Sequence, residues 1–254
     1  MNASARYPSL TDTPVFITGG ATGIGASLVI RFCEQGAKVA FVDINIPAGE
    51  ALLDTCRSMA YPPLFIPCDL IDIDALGKAI VRTQAIYGTI RVLINNAAND
   101  DRHSIESVSA DYWDERIAVN LRHQFFAAQG VIPGMRKAGG GSIINFGSLA
   151  WRVGMGGMSV YVTSKAAVEG LTRSLAREVG PFNIRVNTII PGWVMTERQV
   201  QLWLDEEGER TMDRMQCLPG RIMPDDVAAM ALFLAADDSH MCTAQAFTVD
   251  AGWS

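Results

Sequence analysis

The sequence predicts an α/β fold, a single doubly wound parallel sheet of about seven strands with helices on both faces. Short runs of apolar and β-branched residues alternate with segments of helical periodicity along the whole chain. The strand runs are almost continuously apolar, which is typical of parallel strands covered by helices on both faces. The length of 254 residues fits one α/β unit, and no repeat or Pro/Ser-rich linker divides it. We therefore expect one domain over residues 1–254.

The first half of the chain contains four predicted strands and three helices. The strands are expected at 15–18, 39–42, 64–68 and 91–95. A glycine-rich loop follows the first strand and opens a helix that runs to about Gln35. The other two helices are expected near 48–60 and over 72–87.

The second half continues the same alternation. A long helical pattern over 109–135 is interrupted at Pro133, because proline removes a helical donor. Further strands are expected at 142–146, 185–190 and 246–249, with a long helix over 159–179. An insertion rich in Glu and Arg occupies 196–223. Pro224 then begins another helix, because proline suits the first turn and the two following aspartates favour the positive end of the helix dipole.

The composition excludes several classes of function. With 49% hydrophobic and 19% charged residues, the chain can bury a sizeable core and is not disordered. The net charge of −6 and the lack of a basic block argue against a nucleic-acid partner, since binding needs Lys and Arg to replace phosphate counterions. The longest uncharged run, 13–30, is broken by Pro14 and by several Gly, Ser and Thr residues, so no membrane span is expected.

Other features of the sequence bear on the cellular compartment of the protein and on whether it binds a metal. The N-terminus lacks the apolar core of a secretory signal. The five cysteines form no CxxC pair and cannot all be joined in disulfides, so we expect reduced thiols in a cytoplasmic protein. His103 and His123 are single histidines without metal-ligand spacing, and no metal site is expected.

The loop after the first strand, from Thr18 to Gly25, reads Thr-Gly-Gly-Ala-Thr-Gly-Ile-Gly. Such glycines allow the backbone to approach a pyrophosphate, which lies on the N-terminal amides of the following helix. Tight strand–helix turns also use glycine for structural reasons, so the loop alone is weak evidence. Its place between a strand and a helix favours a dinucleotide site.

Asp43 ends the second strand, 18 residues after Gly25, near the spacing of about 20 expected for a ribose-binding acid. A carboxylate there accepts hydrogen bonds from the adenosine ribose and repels a 2′-phosphate. No Lys or Arg occurs over 19–29 or 44–47 to bind that phosphate. NAD is therefore the expected cofactor, with NADP in weaker or dual use. The alternative for Asp43 is an exposed acid at a strand end.

A further group of polar residues follows the later strands. Asn96 lies at the end of the fourth strand, and Ser148 follows the fifth. Tyr161 and Lys165 lie four residues apart near a helix start, so they share one helix face. A neighbouring ammonium favours the phenolate form of tyrosine, and so does an oxidised nicotinamide. A Tyr-x-x-x-Lys pair alone is common surface chemistry and indicates little.

Together these residues resemble the short-chain dehydrogenase/reductase family, over essentially the whole chain. The family's motifs are present in order: the Thr-Gly-x3-Gly-x-Gly loop from Thr18, Asp69, Asn-Asn-Ala from Asn95, Asn120, Ser148, Tyr161 with Lys165, and Pro191-Gly192 before Thr196. One departure is Ala98, where the family usually has glycine. The resemblance implies a Rossmann-type fold, with a cofactor half over about 10–145 and a substrate half and lid over about 146–254. It also implies a homotetramer with the helices of 109–135 and 159–179 at one interface and the C-terminal region at another.

The resemblance also implies roles for individual residues. Tyr161 would be the general base and Ser148 would hold the substrate hydroxyl. Lys165 would bind the nicotinamide ribose and lower the tyrosine pKa, and Asn120 would support a water-linked proton relay. The implied cofactor-binding residues are Gly19, Thr22, Gly23, Ile24, Gly25, Asp43, Asp69, Leu70, Asn96, Ala97, Tyr161, Lys165, Pro191, Gly192, Val194 and Thr196.

Within the family, the polar loop over 99–103 and the segments 112–116, 120–123, 216–221 and 249–253 resemble sugar 1-dehydrogenases. Those enzymes oxidise D-xylose, L-arabinose, D-galactose or L-fucose to aldonolactones. The implied substrate residues are Asn99, Asp100, Ser148, Tyr161, Trp193, Arg198 and Gln199. The alternative to a substrate-binding role for 99–103 is a solvated surface loop with an Asp-Arg ion pair.

The insertion is expected to act as a mobile lid over 197–223. Ligands of parallel α/β sheets bind outside the carboxyl ends of the strands, and the insertion follows such an end. The alternative is a plain helical excursion used for subunit contact.

The sequence therefore predicts an NAD-dependent sugar 1-dehydrogenase, with two alternatives. One is a short-chain reductase of a 3-oxoacyl thioester or small ketone, against which the polar loop argues, because buried polar groups beside an acyl chain would lack partners. The other is a catalytically silent dinucleotide-binding protein. The complete Ser148, Tyr161, Lys165 and Asn120 set speaks against that reading.

Overall fold

A computed structural model describes residues 5–254 and contains one seven-stranded sheet in which all neighbouring strands are parallel. The strands are β1 Pro14–Thr18, β2 Lys38–Asp43, β3 Leu64–Pro67, β4 Val92–Asn95, β5 Gly141–Phe146, β6 Ile184–Pro191 and β7 Ala246–Val249. Their spatial order is β3-β2-β1-β4-β5-β6-β7. The chain winds outward from β1 in one direction and then returns to place β4 on its other side, which confirms the doubly wound prediction.

The α-helices within residues 5–254 connect and cover the strands. They are α1 Gly23–Glu34, α2 Ile46–Thr55, α3 Ile73–Tyr87, α4 Ala110–Ile117, α5 His123–Lys137, α6 Leu149–Arg152, α7 Ser159–Val179, α8 Glu197–Trp203, α9 Glu206–Met215 and α10 Pro224–Ala235. Helix α2 is shorter than the expected 48–60. It begins earlier because the Asn45 side chain accepts a hydrogen bond from the Ala48 amide at 3.1 Å, and it ends before Cys56.

The expected interruption at Pro133 is wrong, because α5 runs through this proline to Lys137. Pro133 and Gln129, whose carbonyl loses its helical donor, both lie on the exposed face, where water can serve that carbonyl. The long helical pattern is broken instead by one π-helical turn, Ala118–Arg122, between α4 and α5.

The core consists of two apolar clusters, one on each face of the sheet. Alternate residues of β1 belong to opposite clusters: Val15 and Ile17 face α1 and α10, whereas Phe16 faces α3, α5 and α7. All three side chains are fully buried. Because both faces are covered, the carboxyl edge of the sheet is the place where polar groups can converge.

The insertion after β6 forms a closed excursion that contains α8 and α9. Its two ends meet in a parallel bridge between Val194 and Ile222, where the Met195 amide donates to the Ile222 carbonyl at 2.8 Å. The excursion is therefore anchored at a narrow base beside the carboxyl end of β6.

Over residues 5–254, no helix combines the length and apolar character that crossing a membrane requires. In the same part of the chain, no three His, Cys, Asp or Glu side chains lie close enough together to hold a metal ion.

Candidate active site

The glycine loop between β1 and α1 lies directly against the end of β4. A Cβ atom on Gly19 would stand 2.7 Å from the Ala97 Cα, and one on Gly25 would stand 1.8 Å from the Gly19 carbonyl oxygen. Neither position accepts a side chain, so both glycines are required by close approach. Thr22, which precedes α1, makes no side-chain capping hydrogen bond within the described residues. The first amides of α1 therefore face the space in front of the loop.

Asn96 and Thr18 fasten this loop to β4. The Asn96 side-chain amide donates to the carbonyls of Thr18 at 3.1 Å and Gly19 at 2.8 Å. In return, the Thr18 hydroxyl accepts from the backbone amides of Asn96 and Ala97 at 3.1 and 3.2 Å. Asn96, which the family motif places in the cofactor cleft, thus also fixes the conformation of the glycine loop.

Asp43 lies at the carboxyl end of β2, facing the same loop. One of its carboxylate oxygens accepts from the Ala21 amide and the other from the Asn45 amide, both at 2.9 Å. Each carboxylate oxygen has more than one lone pair, so acceptor capacity remains for a ligand.

A cleft of about 940 Å³ runs along this edge of the sheet. Of the expected cofactor residues it is lined by Gly19, Thr22, Gly23, Ile24, Gly25, Asp43, Asp69, Leu70, Asn96, Ala97 and Thr196. The carboxyl ends of β1 and β4, where the winding direction reverses, lie at its centre. Ligands of open α/β sheets bind at such a switch point.

A smaller cavity of about 220 Å³ adjoins this cleft. It is lined by the remaining expected cofactor residues, Tyr161, Lys165, Pro191, Gly192 and Val194, together with Ser148, Asp100, Trp193 and Gln199. The two spaces share a wall made by Ile24, Asn96, Ala98 and Thr196. A ligand in the cleft can therefore touch a second molecule in the cavity.

Three of the expected catalytic side chains meet in the small cavity. Ser148 caps the short helix α6, where its hydroxyl accepts from the Ala150 amide at 3.1 Å. Tyr161 is the third residue of α7, and Lys165 lies one turn further along. The Lys165 ammonium donates to the Phe146 carbonyl at 2.8 Å and stands 5.6 Å from the centre of the Tyr161 ring.

Burial dominates the electrostatics of this pair. It raises the pKa of Tyr161 well above the ordinary value, while the hydrogen bond with Ser148 acts in the lowering direction. Burial also lowers the pKa of Lys165 to about 7, opposed by the Asp100 carboxylate. In this structure, the causes of the shifted Tyr161 pKa are burial, Ser148 and Asp100, and the lowering by Lys165 stays a prediction.

Asn120 lies in the π-helical turn, fully buried, and lines neither space. Its side chain clamps the backbone of Asn99: the Asn99 amide donates to the Asn120 carbonyl oxygen at 2.8 Å, and the Asn120 amide donates to the Asn99 carbonyl at 3.0 Å. The Asn120 side chain therefore holds the loop after β4 in place, and the water-linked relay that the resemblance implies for this residue stays a prediction.

The loop over 99–103 is joined to α8 of the insertion by ion pairs. The Arg198 guanidinium donates to Asp100 at 3.2 Å and to Asp101 at 2.5 Å. Gln199 also donates to Asp100, and the guanidinium of Arg102 lies 4.1 Å from the centre of the Trp203 ring. We call this set of contacts the clasp.

The clasp distributes the expected substrate residues over both spaces. Asp100, Trp193 and Gln199 line the small cavity, together with Ser148 and Tyr161. Asn99 and Arg198 line the larger cleft instead, because Arg198 turns outward to reach the two aspartates.

Several residues of the small cavity were not expected from the sequence. They are Ala98, Arg102, Phe146, Gly147, Leu149, Ala150, Met155, Met158 and Trp253. Trp253 reaches the cavity because the chain after β7 is tied to the insertion, where the Cys217 amide donates to the Ala251 carbonyl at 2.8 Å. The run Val249–Trp253 carried the resemblance to sugar dehydrogenases, and that was the one available signal for this wall.

Comparison with known proteins identifies the protein family to which this fold and this site belong. A family model described as enoyl-(acyl carrier protein) reductase matches residues 19–254. A short-chain dehydrogenase/reductase of Serratia marcescens, solved as a double mutant, has a TM-score of 0.90 at 32% identity, covering 97% of this chain and 99% of that one. The chain belongs to the short-chain dehydrogenase/reductase family.

Two curated relatives are more similar in sequence. A D-xylose 1-dehydrogenase of Caulobacter vibrioides is 49% identical over 251 residues, covering 99% of both chains. A probable galactose dehydrogenase of Rhizobium meliloti is 48% identical over 253 residues, covering 98% of both. The chain is accordingly an oxidoreductase that acts on CH–OH groups.

A third comparison concerns a liganded structure. A 7α-hydroxysteroid dehydrogenase complexed with NADH and 7-oxo glycochenodeoxycholic acid has a TM-score of 0.92 at 29% identity, covering 97% of this chain and 96% of that one. That protein, with a similar fold, thus holds NADH and a 7-oxo compound together.

Proposed function

We propose that this protein oxidises the ring form of an aldose at C1 to the aldonolactone, using NAD. The observation that carries the proposal is the small cavity, which Ser148 and Tyr161 line together with Asp100 and Gln199. Hydroxyl-rich molecules need such polar partners on several sides. The full-length similarity to a D-xylose 1-dehydrogenase and a probable galactose dehydrogenase supports the same substrate class.

The residues of the larger cleft fit a dinucleotide. Gly19 and Gly25 leave no room for a side chain, and the first amides of α1 are left for an anionic ligand such as a pyrophosphate. Asp43 would accept hydrogen bonds from the adenosine ribose, and its charge would repel a 2′-phosphate. This set supports NAD over NADP.

The proposed chemistry uses three side chains of the small cavity. Ser148 holds the anomeric hydroxyl by a hydrogen bond, and Tyr161 takes its proton as C1 becomes a carbonyl. Lys165, held by the Phe146 carbonyl, supplies donors for a ribose hydroxyl. An oxidised nicotinamide bound beside these residues would supply the hydride acceptor for C1, and its positive charge would favour the phenolate of Tyr161.

The cavity walls support a sugar rather than an acyl chain. Asp100 and Gln199 line the cavity with polar groups that can form additional hydrogen bonds with sugar hydroxyls, whereas a hydrocarbon chain adds nothing to the contacts they make with each other and with Arg198. Trp193 and Trp253 also line the cavity, and an aromatic ring can pack against the C–H face of a sugar. A reductase of 3-oxoacyl thioesters is the rival that this arrangement disfavours.

A substrate panel tests the proposal. The full chain is mixed with NAD or NADP and a series of aldopentoses and aldohexoses, and the near-ultraviolet absorbance of the reduced nicotinamide is followed. A Tyr161→Phe protein serves as the control for background reduction. Turnover of an aldose with NAD as the better cofactor supports the proposal. Reduction of a 3-oxoacyl thioester without aldose turnover overturns it, and cofactor binding without any turnover indicates a silent binding protein.

A further inference from the structure

Helix α7, which carries Tyr161, begins without a cap from its own sequence. The residue before the helix is Met158, whose side chain makes no capping hydrogen bond within the described chain. The amides of Ser159, Val160 and Tyr161 belong to the first turn, where no carbonyl of the same helix is available to them. The tyrosine therefore lies on the part of α7 that is most prone to fray.

The segment before α7 contains three glycines with open space beside them. A Cβ atom at Gly154, Gly156 or Gly157 would meet no atom of the described chain within 4 Å. Gly154 and Gly157 also have positive φ angles of 65° and 73°, which favour glycine. Contacts from elsewhere in the molecule must hold the first turn in position.

His103, at the end of the polar loop, makes these contacts. Its backbone amide donates to the Gly157 carbonyl at 2.7 Å. Its Nε2 atom accepts from the Val160 amide at 3.4 Å and lies 3.2 Å from the Ser159 hydroxyl. The imidazole thus occupies the place that a serine or aspartate N-cap usually takes, but it comes from another loop.

The geometry also selects one form of the imidazole. A backbone amide can only donate, so Nε2 must be the nitrogen without a hydrogen. Nδ1 then carries the hydrogen and donates to the Tyr112 hydroxyl at 3.2 Å. The Tyr112 ring packs edge-on against the imidazole, with 5.3 Å between ring centres. Helix α4 in this way fixes the orientation of His103.

The loop that ends in His103 also lines the small cavity. Asn120 clamps its first residue, and Asp100 lines the small cavity beside Tyr161. A displacement of the loop would therefore act on the cavity wall and on the first turn of α7 together.

We propose that His103 is a positioning residue that caps α7 from the polar loop and thereby sets the place of Tyr161 relative to the substrate wall. The inference rests on the proposed function only for the substrate used in its kinetic test. The cap itself can be measured without turnover.

Two substitutions distinguish a capping role of His103 from a role in packing alone. His103→Leu removes the acceptor, whereas His103→Gln retains an amide oxygen that can reach the Val160 amide. His240→Leu is the matched control, because His240 is exposed and its Nδ1 lies 3.2 Å from a carbonyl of its own turn. Each protein is examined by hydrogen exchange of the amides at 159–161 without ligands, and by kcat and KM for NAD and the best sugar.

The expected result for His103→Leu is faster exchange at 159–161 and a kcat reduced by roughly fivefold, which corresponds to the loss of one typical helix cap. The KM for NAD should be unchanged, since the cofactor cleft is untouched. His103→Gln should restore both quantities, and His240→Leu should change neither. Unchanged exchange and kcat in His103→Leu, or failure of His103→Gln to restore them, would overturn the proposal. If no aldose is oxidised at all, the proposed function fails, whereas the exchange data still decide the cap.

Discussion

Tyr161 faces the small cavity beside Ser148, at the place where a substrate hydroxyl can lose its proton. Replacing it with phenylalanine removes the accepting oxygen and keeps the ring. We expect Tyr161→Phe to lower kcat by several orders of magnitude and to leave the dissociation constant for NADH nearly unchanged. Steady-state kinetics and NADH fluorescence titration measure the two quantities. Retention of more than about a tenth of the wild-type rate would contradict the assignment of Tyr161 as general base.

Asp43 is the residue from which cofactor preference is expected to arise. Asp43→Ala removes both the repulsion of a 2′-phosphate and the hydrogen bonds to the adenosine ribose. The ratio of kcat/KM for NAD to that for NADP should fall, mainly through the KM values. Asp69→Asn, on the same cleft, is a control that changes charge at a different position. The idea is wrong if the wild-type protein already uses NADP more efficiently than NAD.

His123 provides a test of stability rather than catalysis. It is fully buried at the start of α5, and burial lowers its pKa to about 3, with the Lys165 charge acting in the same direction. The unfolded chain takes up a proton near pH 6.5 and the folded protein does not, so stability falls as the pH drops below that value towards 3. We expect this one residue to reduce the free energy of unfolding by about 2 kcal/mol between pH 7 and 5.

Denaturant unfolding at pH 7, 6 and 5 checks the expectation for His123. His123→Gln should show a weaker dependence on pH than wild type, whatever constant offset the substitution adds. His240→Gln, at an exposed position, should follow the wild-type curve. Parallel curves for wild type and His123→Gln would show that the buried imidazole does not control this transition.

Single residues also mark how far the sequence alone could predict the site. Gly19, Asp43, Ser148 and Tyr161 all line the expected spaces, because each follows directly from a strand end or a helix start. The capping role of His103 could not be predicted, since it depends on a contact between positions 57 residues apart.

At the level of elements, the insertion with α8 and α9 remains a candidate lid. Its base is narrow, at the Val194–Ile222 bridge, and its free side is held by the clasp. We expect NAD and sugar together to slow hydrogen exchange over 197–223 relative to the free protein, because a closed lid excludes water from the reacting atoms. Equal exchange in both states would leave the insertion as a helical excursion without gating.

Releasing the clasp gives a second, independent test of the lid. Arg198→Gln removes the ion pairs with Asp100 and Asp101, so exchange in α8 should become faster in the free protein. Arg210→Gln is the control, because within the described chain Arg210 pairs only with Glu206 and Glu207 of its own helix. If both variants resemble wild type, the clasp does not restrain the insertion.

The strand and helix boundaries show which features of secondary structure can be predicted from sequence patterns and which cannot. All seven strands were expected within a residue or two, because buried parallel strands are nearly continuous apolar runs. The π-helical turn Ala118–Arg122 was missed, since its residues keep a helical pattern and the wider turn depends on packing. Pro133 gave a false signal, because a proline on the solvent face of a helix can be tolerated.

For the whole molecule, the expectation of a homotetramer rests on the outer helices. Trp113 on α4 and Phe125 on α5 expose 41% and 43% of their surface, on the helices expected at one interface. Phe125→Glu should therefore produce smaller species, and Val81→Glu, at an exposed site on α3, should not. Sedimentation velocity measures the outcome against four times the mass of the chain. A wild-type monomer would rule out the tetramer.

The clasp has a consequence for how the protein responds to its solution. Arg198 is about half exposed, and Asp101 is exposed to a similar degree, so mobile ions reach the pair freely. Physiological salt screens such charges over about 8 Å, and an exposed ion pair contributes at most about 1 kcal/mol. Raising the ionic strength should therefore loosen the wall that carries Asp100 and increase the sugar KM, by no more than roughly fivefold. The affinity of this dehydrogenase for sugar would then vary with the salt content of its surroundings, although a neutral sugar carries no charge of its own.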